Sequence, residues 1–281
     1  MSTALQEAAQ QDAGSAAALL VEDVSRRFGS AEAGVLALDR IGFSVARGEF
    51  VSIIGPSGCG KSTLFSIVGG LDRGFDGRVL VHGAPINGPH PAIGMVFQEQ
   101  STLPWRDVLA NVAFALEMRG VPKAERLDRA RRFVELVGLR GFERRYPDEL
   151  SGGMRQRVAI ARTLAIEPEI LLMDEPFGAL DEQTRLLLGD KVLQIQQSLR
   201  QTTVLITHSI GEAVQLSDRI VVMTYRPGRV KRIIPVPLPR PRTSAVLGSE
   251  AFGRTVAEVW SDLREEASRG MSEAERLSLD H

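Results

Sequence analysis

A glycine-rich segment between a predicted buried strand and a predicted helix constrains the fold more than any other part of this sequence. The segment Gly55-Pro56-Ser57-Gly58-Cys59-Gly60-Lys61-Ser62-Thr63 matches the pattern G-x-x-x-x-G-K-[ST]. The apolar run at 50–54 predicts the strand, and apolar residues at 64, 67 and 68 predict the helix. In this setting the glycines let backbone N–H groups face a phosphate, with Lys61 reaching the β- and γ-phosphates and Ser62 binding Mg²⁺.

A second element supplies carboxylates. The apolar run 170–173 predicts a buried strand, and it ends in Asp174 and Glu175. Asp174 is predicted to lie beside the Mg²⁺, and Glu175 to polarise an attacking water as general base. An apolar run ending in Asp-Glu is common by chance, so this interpretation depends on the phosphate loop.

The order of predicted elements sets the fold class. Strands alternate with helices along most of the chain, and about 105–166 is predicted to be largely helical, as an insertion. This order predicts an α/β domain with a mostly parallel sheet.

Composition excludes several other classes. Hydrophobic residues make up 43% of the chain and charged residues 25%, which is typical of a globular protein. A net charge of −1 gives no overall basic field, so nucleic acid is not a predicted partner. The single cysteine, Cys59, excludes an internal disulfide and fits a reducing cytosol. No apolar run is long enough to span a bilayer, so a membrane role requires a partner.

A third motif adds a family resemblance. The segment Leu150-Ser151-Gly152-Gly153-Met154-Arg155-Gln156-Arg157 resembles the LSGGQ signature of ATP-binding-cassette (ABC) ATPases, with Met154 at the fifth position. Ser151 followed by Gly152 and Gly153 predicts a helix start with backbone N–H groups open to an anion. The resemblance implies that this anion is the nucleotide of a second copy, in a two-fold head-to-tail homodimer.

Other positions match the family in order. Gln98 resembles the glutamine that contacts Mg²⁺ and water and links to the helical insertion. Gly178-Ala179-Leu180-Asp181 resembles the D-loop that crosses the dimer interface. His208 resembles the histidine that holds the γ-phosphate, and Phe28 stands where the family places an aromatic ring that stacks on adenine. Phe28 as a core residue is the alternative.

The resemblance implies a fold and a function for the whole chain. The fold is the P-loop NTPase ABC cassette, α/β, with a mostly parallel core sheet, an antiparallel β subdomain and an inserted α-helical subdomain. The function is ATP hydrolysis coupled to transport, with ATP and Mg²⁺ as cofactors. The expected partners are permease subunits in the membrane and, indirectly, a periplasmic or extracellular solute-binding protein, which places the chain on the cytoplasmic face of the inner membrane.

The predicted elements and the family resemblance together give three predicted domains. They are a disordered tail at 1–17, the ATPase domain at 18–235 with its helical subdomain at about 99–160, and a C-terminal extension at 236–281. In that extension Phe252, Val256, Val259 and Leu263 fall on one face of a predicted helix. This face is expected either to pack on the cassette or to extend the dimer interface.

The sequence argues against several other functions of ABC-type ATPases. Repair ATPases carry long coiled coils, translation factors carry two cassettes, and exporters usually fuse membrane helices to the cassette; none of these features is present in the sequence. The segments 98–108, 225–229 and 238–242 resemble the nitrate, sulfonate and taurine branch of importers. Import of another small molecule, such as a thiamine precursor, is the alternative. A non-transport ABC ATPase ranks below both.

Two further expectations concern reactivity and charge. A helix N-terminus favours a thiolate at Cys59, so thiol reagents are expected to inactivate the enzyme, with protection by ATP. A basic cluster is expected to form a solvated edge, with lipid or permease contact as the alternative; its members are Arg226, Arg229, Lys231, Arg232, Arg240 and Arg242.

Overall fold

The structure, a computed structural model, describes residues 17–29 and 34–279, with side chains as far as residue 270. The strands are β1 (Ala17–Phe28), β2 (Val35–Ala46), β3 (Phe50–Ile54), β4 (Asp76–Val81), β5 (Ala84–Pro85), β6 (Ile93–Val96), β7 (Ile170–Asp174), β8 (Thr202–Ile206), β9 (Arg219–Met223) and β10 (Val230–Pro235). The helices are α1 (Lys61–Val68), α2 (Val108–Met118), α3 (Lys123–Leu136), α4 (Gly152–Leu164), α5 (Glu182–Leu199), α6 (Ile210–Leu216) and α7 (Glu250–Leu279). The tail predicted at 1–17 lies outside the described residues except for Ala17, which already belongs to β1.

The chain divides into two compact units. One comprises the described residues up to His90 together with Thr202 onward, and the other comprises Pro91–Gln201. They are called the first and second units below.

The first unit contains an antiparallel sheet with the strand order β2-β1-β4-β5. β1 and β2 are long, and their register shifts at several points, where bulges bend the strands. Buried and exposed positions roughly alternate along β2, which is typical of an antiparallel sheet with one face on a core.

The first unit also contains strands in a mainly parallel arrangement. β3 pairs in parallel with β8 on one side and with β9 on the other, while β10 adds to β9 in antiparallel. Every residue of β3 and β8 is buried. Parallel strands covered on both faces require such continuous apolar runs, which is why the sequence showed them.

The second unit pairs β6 with β7 in parallel and adds helices α2 to α5. Helix α2 packs against α3 and α4. Its buried residues Val108, Val112 and Leu116 recur every four positions, so one stripe faces those helices. The predicted α/β class, with parallel core strands, an antiparallel sheet and a helical part, is confirmed.

Helix α7 packs on the first unit. Val259 is buried in a core cluster with Ile54, Ala213, Val222 and Ile234, and the rest of its predicted apolar face lies against the same cluster. Of the two expectations for this face, packing on the cassette is therefore the observed one.

The prediction of a solvated edge holds for Arg226, Arg229 and Arg232, which are exposed, and is wrong for Arg242. Arg242 is 4% exposed and donates to the carbonyl oxygens of Leu238 and Ser217. Arg240 pairs with Asp218 at 2.8 Å. These two guanidinium groups pair with a nearby carboxylate or donate to carbonyl oxygens of the fold, and the sequence pattern did not show these partners.

Two members of the cluster join β10 to α7. Lys231 pairs with Glu265 at 2.5 Å and with Glu266 at 3.0 Å. Arg232 pairs with Asp262 at 3.4 Å and also with Glu258. Within residues 17–29 and 34–279, no helix combines the length and the apolar character needed to cross a membrane.

Candidate functional site

The backbone of the phosphate loop requires its glycines. Gly58 and Gly60 have φ of +74° and +96°, a region that residues with a Cβ rarely adopt. A Cβ at Gly60 would also lie 2.6 Å from Leu38 Cδ2. At Gly55 it would lie 2.8 Å from Cys59 Sγ. The loop therefore has little room for any other residue at these positions.

Lys61 places its charge inside this loop. Its Nζ donates to the carbonyl oxygens of Gly55 at 2.8 Å and Pro56 at 3.0 Å, and the side chain is 9% exposed. Helix α1 begins at Lys61, and Gly60 as its N-cap offers no side-chain acceptor to the first N–H groups. The ammonium group and the positive end of the helix thus lie next to each other, which suits an anion.

Cys59 does not have the environment predicted for it. The side chain is fully buried, and this burial raises the pKa of the thiol above its ordinary value, although nearby Lys61 acts in the opposite direction. The expectation of a favoured thiolate was wrong, because the cost of desolvating the anion exceeds the help from the helix and the lysine.

His208 and Phe28 lie in the same unit as the phosphate loop. The parallel register pairs Ile53 with Ile206, so the phosphate loop after β3 and His208 after β8 lie at the same edge of these strands. Phe28 ends β1 and is 45% exposed, which contradicts its interpretation as a core residue. The Arg26 guanidinium lies 4.5 Å from the centre of its ring.

The second unit brings three of the predicted site residues together. β6 and β7 run in parallel with Val96 opposite Met173, so Gln98 and the Asp174–Glu175 pair follow adjacent strands at one edge. Gln98 Nε2 donates to Glu175 Oε2 at 3.3 Å. Asp174 is 7% exposed at the end of β7.

Glu175 has an unusual backbone conformation. Its φ is +45°, in the left-handed region, and its carbonyl oxygen accepts the N–H of Gly178 at 3.2 Å. For a residue with a Cβ this conformation costs on the order of 1 kcal/mol, and such strain is concentrated at functional sites. The turn directs the chain away from the strand immediately after the two carboxylates.

The signature segment forms the start of α4 as predicted. Ser151 is the N-cap, and its Oγ accepts the N–H of Met154 at 3.3 Å. A Cβ at Gly153 would lie 3.1 Å from Leu180 Cδ2 and 3.3 Å from the Ala179 carbonyl oxygen. This glycine therefore allows α4 to approach the segment 178–181.

Asp181 ends that segment and caps the next helix. Its carboxylate accepts the N–H of Thr184 at 2.9 Å at the start of α5, and this hydrogen bond lowers the pKa of Asp181. The sequence pointed to an interface role here, and the structure adds a local structural role.

The residues that hold the segment after β6 were not among the predicted site residues. Arg155 Nε donates to Gln100 Oε1 at 2.6 Å, and Gln156 Nε2 donates to the Phe97 carbonyl oxygen at 3.2 Å. Both donors belong to the first turns of α4, directly after the signature. Gln156 is 1% exposed, so a polar residue on the buried face of a helix was the available signal.

The residues proposed as Mg²⁺ ligands carry oxygen donors. Ser62 offers a hydroxyl, Asp174 a carboxylate and Gln98 an amide oxygen, which are the donor types that Mg²⁺ prefers. Among the residues that the structure describes, there is no group of three or more His, Cys, Asp or Glu side chains arranged to hold a metal.

A match to a family model shows that these motifs belong together and did not arise by chance. The family model described as "ABC transporter" matches residues 38–178. The chain belongs to the ABC transporter family. Its α/β P-loop cassette fold and its ATPase class are those predicted from the sequence.

Relatives and solved structures agree with this assignment. An uncharacterized ABC transporter ATP-binding protein of Methanocaldococcus jannaschii is 49% identical over 244 residues, covering 87% of this chain and 91% of that protein. The aliphatic sulfonates import ATP-binding protein SsuB of Bacillus licheniformis is 46% identical over 223 residues, covering 79% and 86%. A dimeric ATP-binding cassette in a post-hydrolysis state, bound to ADP and Pi, superposes with a TM-score of 0.72 at 32% identity, covering 79% of this chain and all of that one.

Proposed function

We propose that this ABC ATPase is the subunit that drives an importer for a small solute of the nitrate, sulfonate or taurine type, working as a head-to-tail homodimer. The observation that carries the proposal is the pair of glycine-containing helix starts. The first, before α1, has three positions that require glycine, and Lys61 donates to its backbone. The second, at the start of α4, follows Ser151. One chain thus offers two anion-binding segments, and a two-fold dimer uses both.

The first unit supplies the nucleotide-binding part of the proposed site. Residues 55–63 hold the phosphates through backbone N–H groups and the Lys61 ammonium. The exposed ring of Phe28 stacks on adenine, with Arg26 on one face of the ring. His208, at the same strand edge, contacts the γ-phosphate.

The second unit supplies the hydrolytic groups. Glu175 accepts a proton from the attacking water, and Gln98, already hydrogen-bonded to Glu175, orients that water. Asp174, Ser62 and the Gln98 amide oxygen would supply ligands to Mg²⁺, which would neutralise charge on the phosphates when bound. The buried position of Asp174 keeps its carboxylate in place for this role.

The dimer places the signature residues on the partner's nucleotide. Ser151, Gly152 and Gly153 face the γ-phosphate bound by the other copy, and Asp181 lies at the same interface. The similar cassette that is dimeric and bound to ADP and Pi supports the dimeric state. ATP binding closes the dimer because each nucleotide contacts two surfaces, and hydrolysis reopens it.

The transport partners follow from this role. Permease subunits in the inner membrane receive the motion of the helical subdomain, at about 99–160, on the cytoplasmic face, and a solute-binding protein delivers the cargo on the other side. A relative named as an aliphatic sulfonates import protein supports a sulfonate-type cargo, with nitrate and taurine in the same branch. Nucleic acid is not a proposed partner.

The hydrolytic role is tested with Glu175→Gln. This variant keeps one oxygen acceptor but loses the basic carboxylate, so the rate of hydrolysis falls by about 100-fold or more. In the presence of ATP the protein then accumulates as a dimer in size-exclusion chromatography. Glu169→Gln, an exposed change just before the same strand, is the control and turns over normally. Normal turnover in Glu175→Gln would remove Glu175 as the base.

The cargo is tested by growth. A strain lacking the gene is grown with alkanesulfonates or taurine as sole sulfur source, and with nitrate as sole nitrogen source. Loss of growth on one of these, restored by the wild-type gene but not by Glu175→Gln, identifies the cargo and its dependence on hydrolysis. Normal growth on all of them would reject a cargo of the nitrate, sulfonate or taurine type and favour another small molecule, such as a thiamine precursor.

A further inference from the structure

The loop between β9 and β10, residues 224–229, lies against the phosphate loop within the first unit. Arg226 Nε donates to the Gly58 carbonyl oxygen at 2.9 Å. Gly228 approaches so closely that a Cβ there would lie 2.1 Å from the Cys59 carbonyl oxygen. Two successive carbonyl groups of the phosphate loop therefore contact this one segment.

The contact at Gly58 fixes a peptide unit. A peptide is planar, with its C=O and N–H pointing in opposite directions. A Gly58 carbonyl directed at Arg226 therefore turns the Cys59 N–H the other way, toward the Pro56 carbonyl oxygen, which it meets at 3.3 Å. Lys61 Nζ donates to the same Pro56 oxygen, so this N–H lies on the side of the loop where the ammonium lies.

Helix α7 holds the same loop from the other side. Glu266 is 1% exposed, and its Oε2 accepts the Tyr225 N–H at 3.0 Å. Its Oε1 lies 3.0 Å from Lys231 Nζ, so this buried carboxylate has a cationic partner. A Cβ at Gly270 would lie 2.9 Å from the Tyr225 ring, which shows how closely the helix approaches.

The loop is also fastened to β2. The Gly228 N–H donates to the Ala37 carbonyl oxygen at 2.9 Å, and the Asp39 N–H donates to the Gly228 carbonyl oxygen at 2.9 Å. With Gly228 fixed in this way and Tyr225 held by Glu266, the backbone on both sides of Arg226 has defined anchors. Arg226 itself is exposed, so its side chain is not needed to fill the core.

We propose that Arg226 is a positioning residue that orients the Gly58–Cys59 peptide for phosphate binding, and that Glu266 of α7 sets the position of Arg226. The C-terminal helix thereby tunes the affinity for ATP without contacting the nucleotide. This inference rests on the proposed role of residues 55–63 in binding ATP.

The test measures the Kd for a fluorescent ATP analogue with the full chain, together with the melting temperature. Arg226→Ala raises the Kd about fivefold, the loss expected for one charge-assisted hydrogen bond acting at a distance of one peptide, with little change in melting temperature. Arg232→Ala is the matched control, because it removes two ion pairs to α7 without touching residues 224–229. Its Kd stays within about 1.5-fold of the wild type.

A double-variant cycle tests the link to α7. Glu266→Ala alone raises the Kd about threefold, but in the Arg226→Ala background it adds less than about 1.5-fold, because both changes act through one contact. A purely structural role of Glu266 would lower the melting temperature and leave the Kd unchanged. Fully independent effects of the two changes on the Kd would also overturn the link.

Other outcomes separate this inference from the proposed site. An unchanged Kd in Arg226→Ala, or an equal rise in Arg232→Ala, overturns the inference alone. Lys61→Ala is included to test the site itself, and it raises the Kd by about 100-fold or more. Normal ATP binding by Lys61→Ala would instead reject the phosphate loop as the nucleotide site.

Discussion

The phosphate loop and the signature segment both place glycines at the start of a helix, but the structure uses these glycines differently. Gly58 and Gly60 have positive φ, and the loop is supported by Arg226, which is 168 positions away in the sequence. In the signature segment a local cap from Ser151 starts the helix, and Gly153 serves close approach to Leu180. The first segment depends on backbone geometry and distant contacts, and the second on a local cap and a small side chain.

The largest expected effect comes from breaking the backbone requirement at Gly60. Gly60→Ala combines a φ of +96° with a Cβ 2.6 Å from Leu38 Cδ2, so the free energy of unfolding falls by roughly 3 kcal/mol in urea titration. Gly120→Ala is the control, since Gly120 has a φ of +74° and nothing within 4 Å of the added Cβ. It costs about 1 kcal/mol from strain alone. Equal losses in the two variants would show that the contact with Leu38 does not matter.

A smaller effect is expected in the signature segment, at the Ser151 cap. Ser151→Ala removes the cap of α4 and lowers the free energy of unfolding by about 1 kcal/mol. Ser249→Ala removes a similar contact, in which Ser249 Oγ accepts the Phe252 N–H at 3.2 Å. Both variants lose similar stability, but only Ser151→Ala weakens ATP-dependent dimerisation, measured by sedimentation in the Glu175→Gln background. Equal dimerisation in both would limit Ser151 to a capping role.

The smallest effect concerns Cys59, the only thiol in the chain. Because burial raises its pKa, the thiol is protonated at neutral pH, and iodoacetamide reacts at least about tenfold more slowly with the native protein than with protein in guanidinium. Because burial raises the pKa, the rate in the native protein begins to rise at a higher pH than the rate in guanidinium. Mass spectrometry over time measures both rates. Fast alkylation of native protein at pH 7 would contradict the buried position.

The elements of the fold were largely predictable because their signals are local. The runs at β3, β7 and β8 are mostly apolar, and the structure buries every residue of these three strands. The predicted face of α7 is also local, since residues four apart lie on one side of a helix. Such patterns need no knowledge of distant contacts.

The candidate site was predictable as a set of motifs, but not as a set of contacts. Residues 55–63 and 151–153 are recognisable by their order along the chain. Burial of Cys59, and the partners of Arg242 and Arg226, depend on segments far away in sequence, and no local pattern reports them. Charge alone suggested a solvated edge, although Arg242 is among the buried residues.

The core cluster under α7 has a consequence for exchanging cassettes between transporters. Val259 shares this cluster with Ile54, the residue just before the phosphate loop, and with Ile234 of β10. A chimera joined near residue 236 would therefore pair a foreign helix with the strand that carries the nucleotide loop. A cassette exchanged between relatives therefore needs to include α7. The segment that can be exchanged as one piece extends beyond the nucleotide-binding motifs.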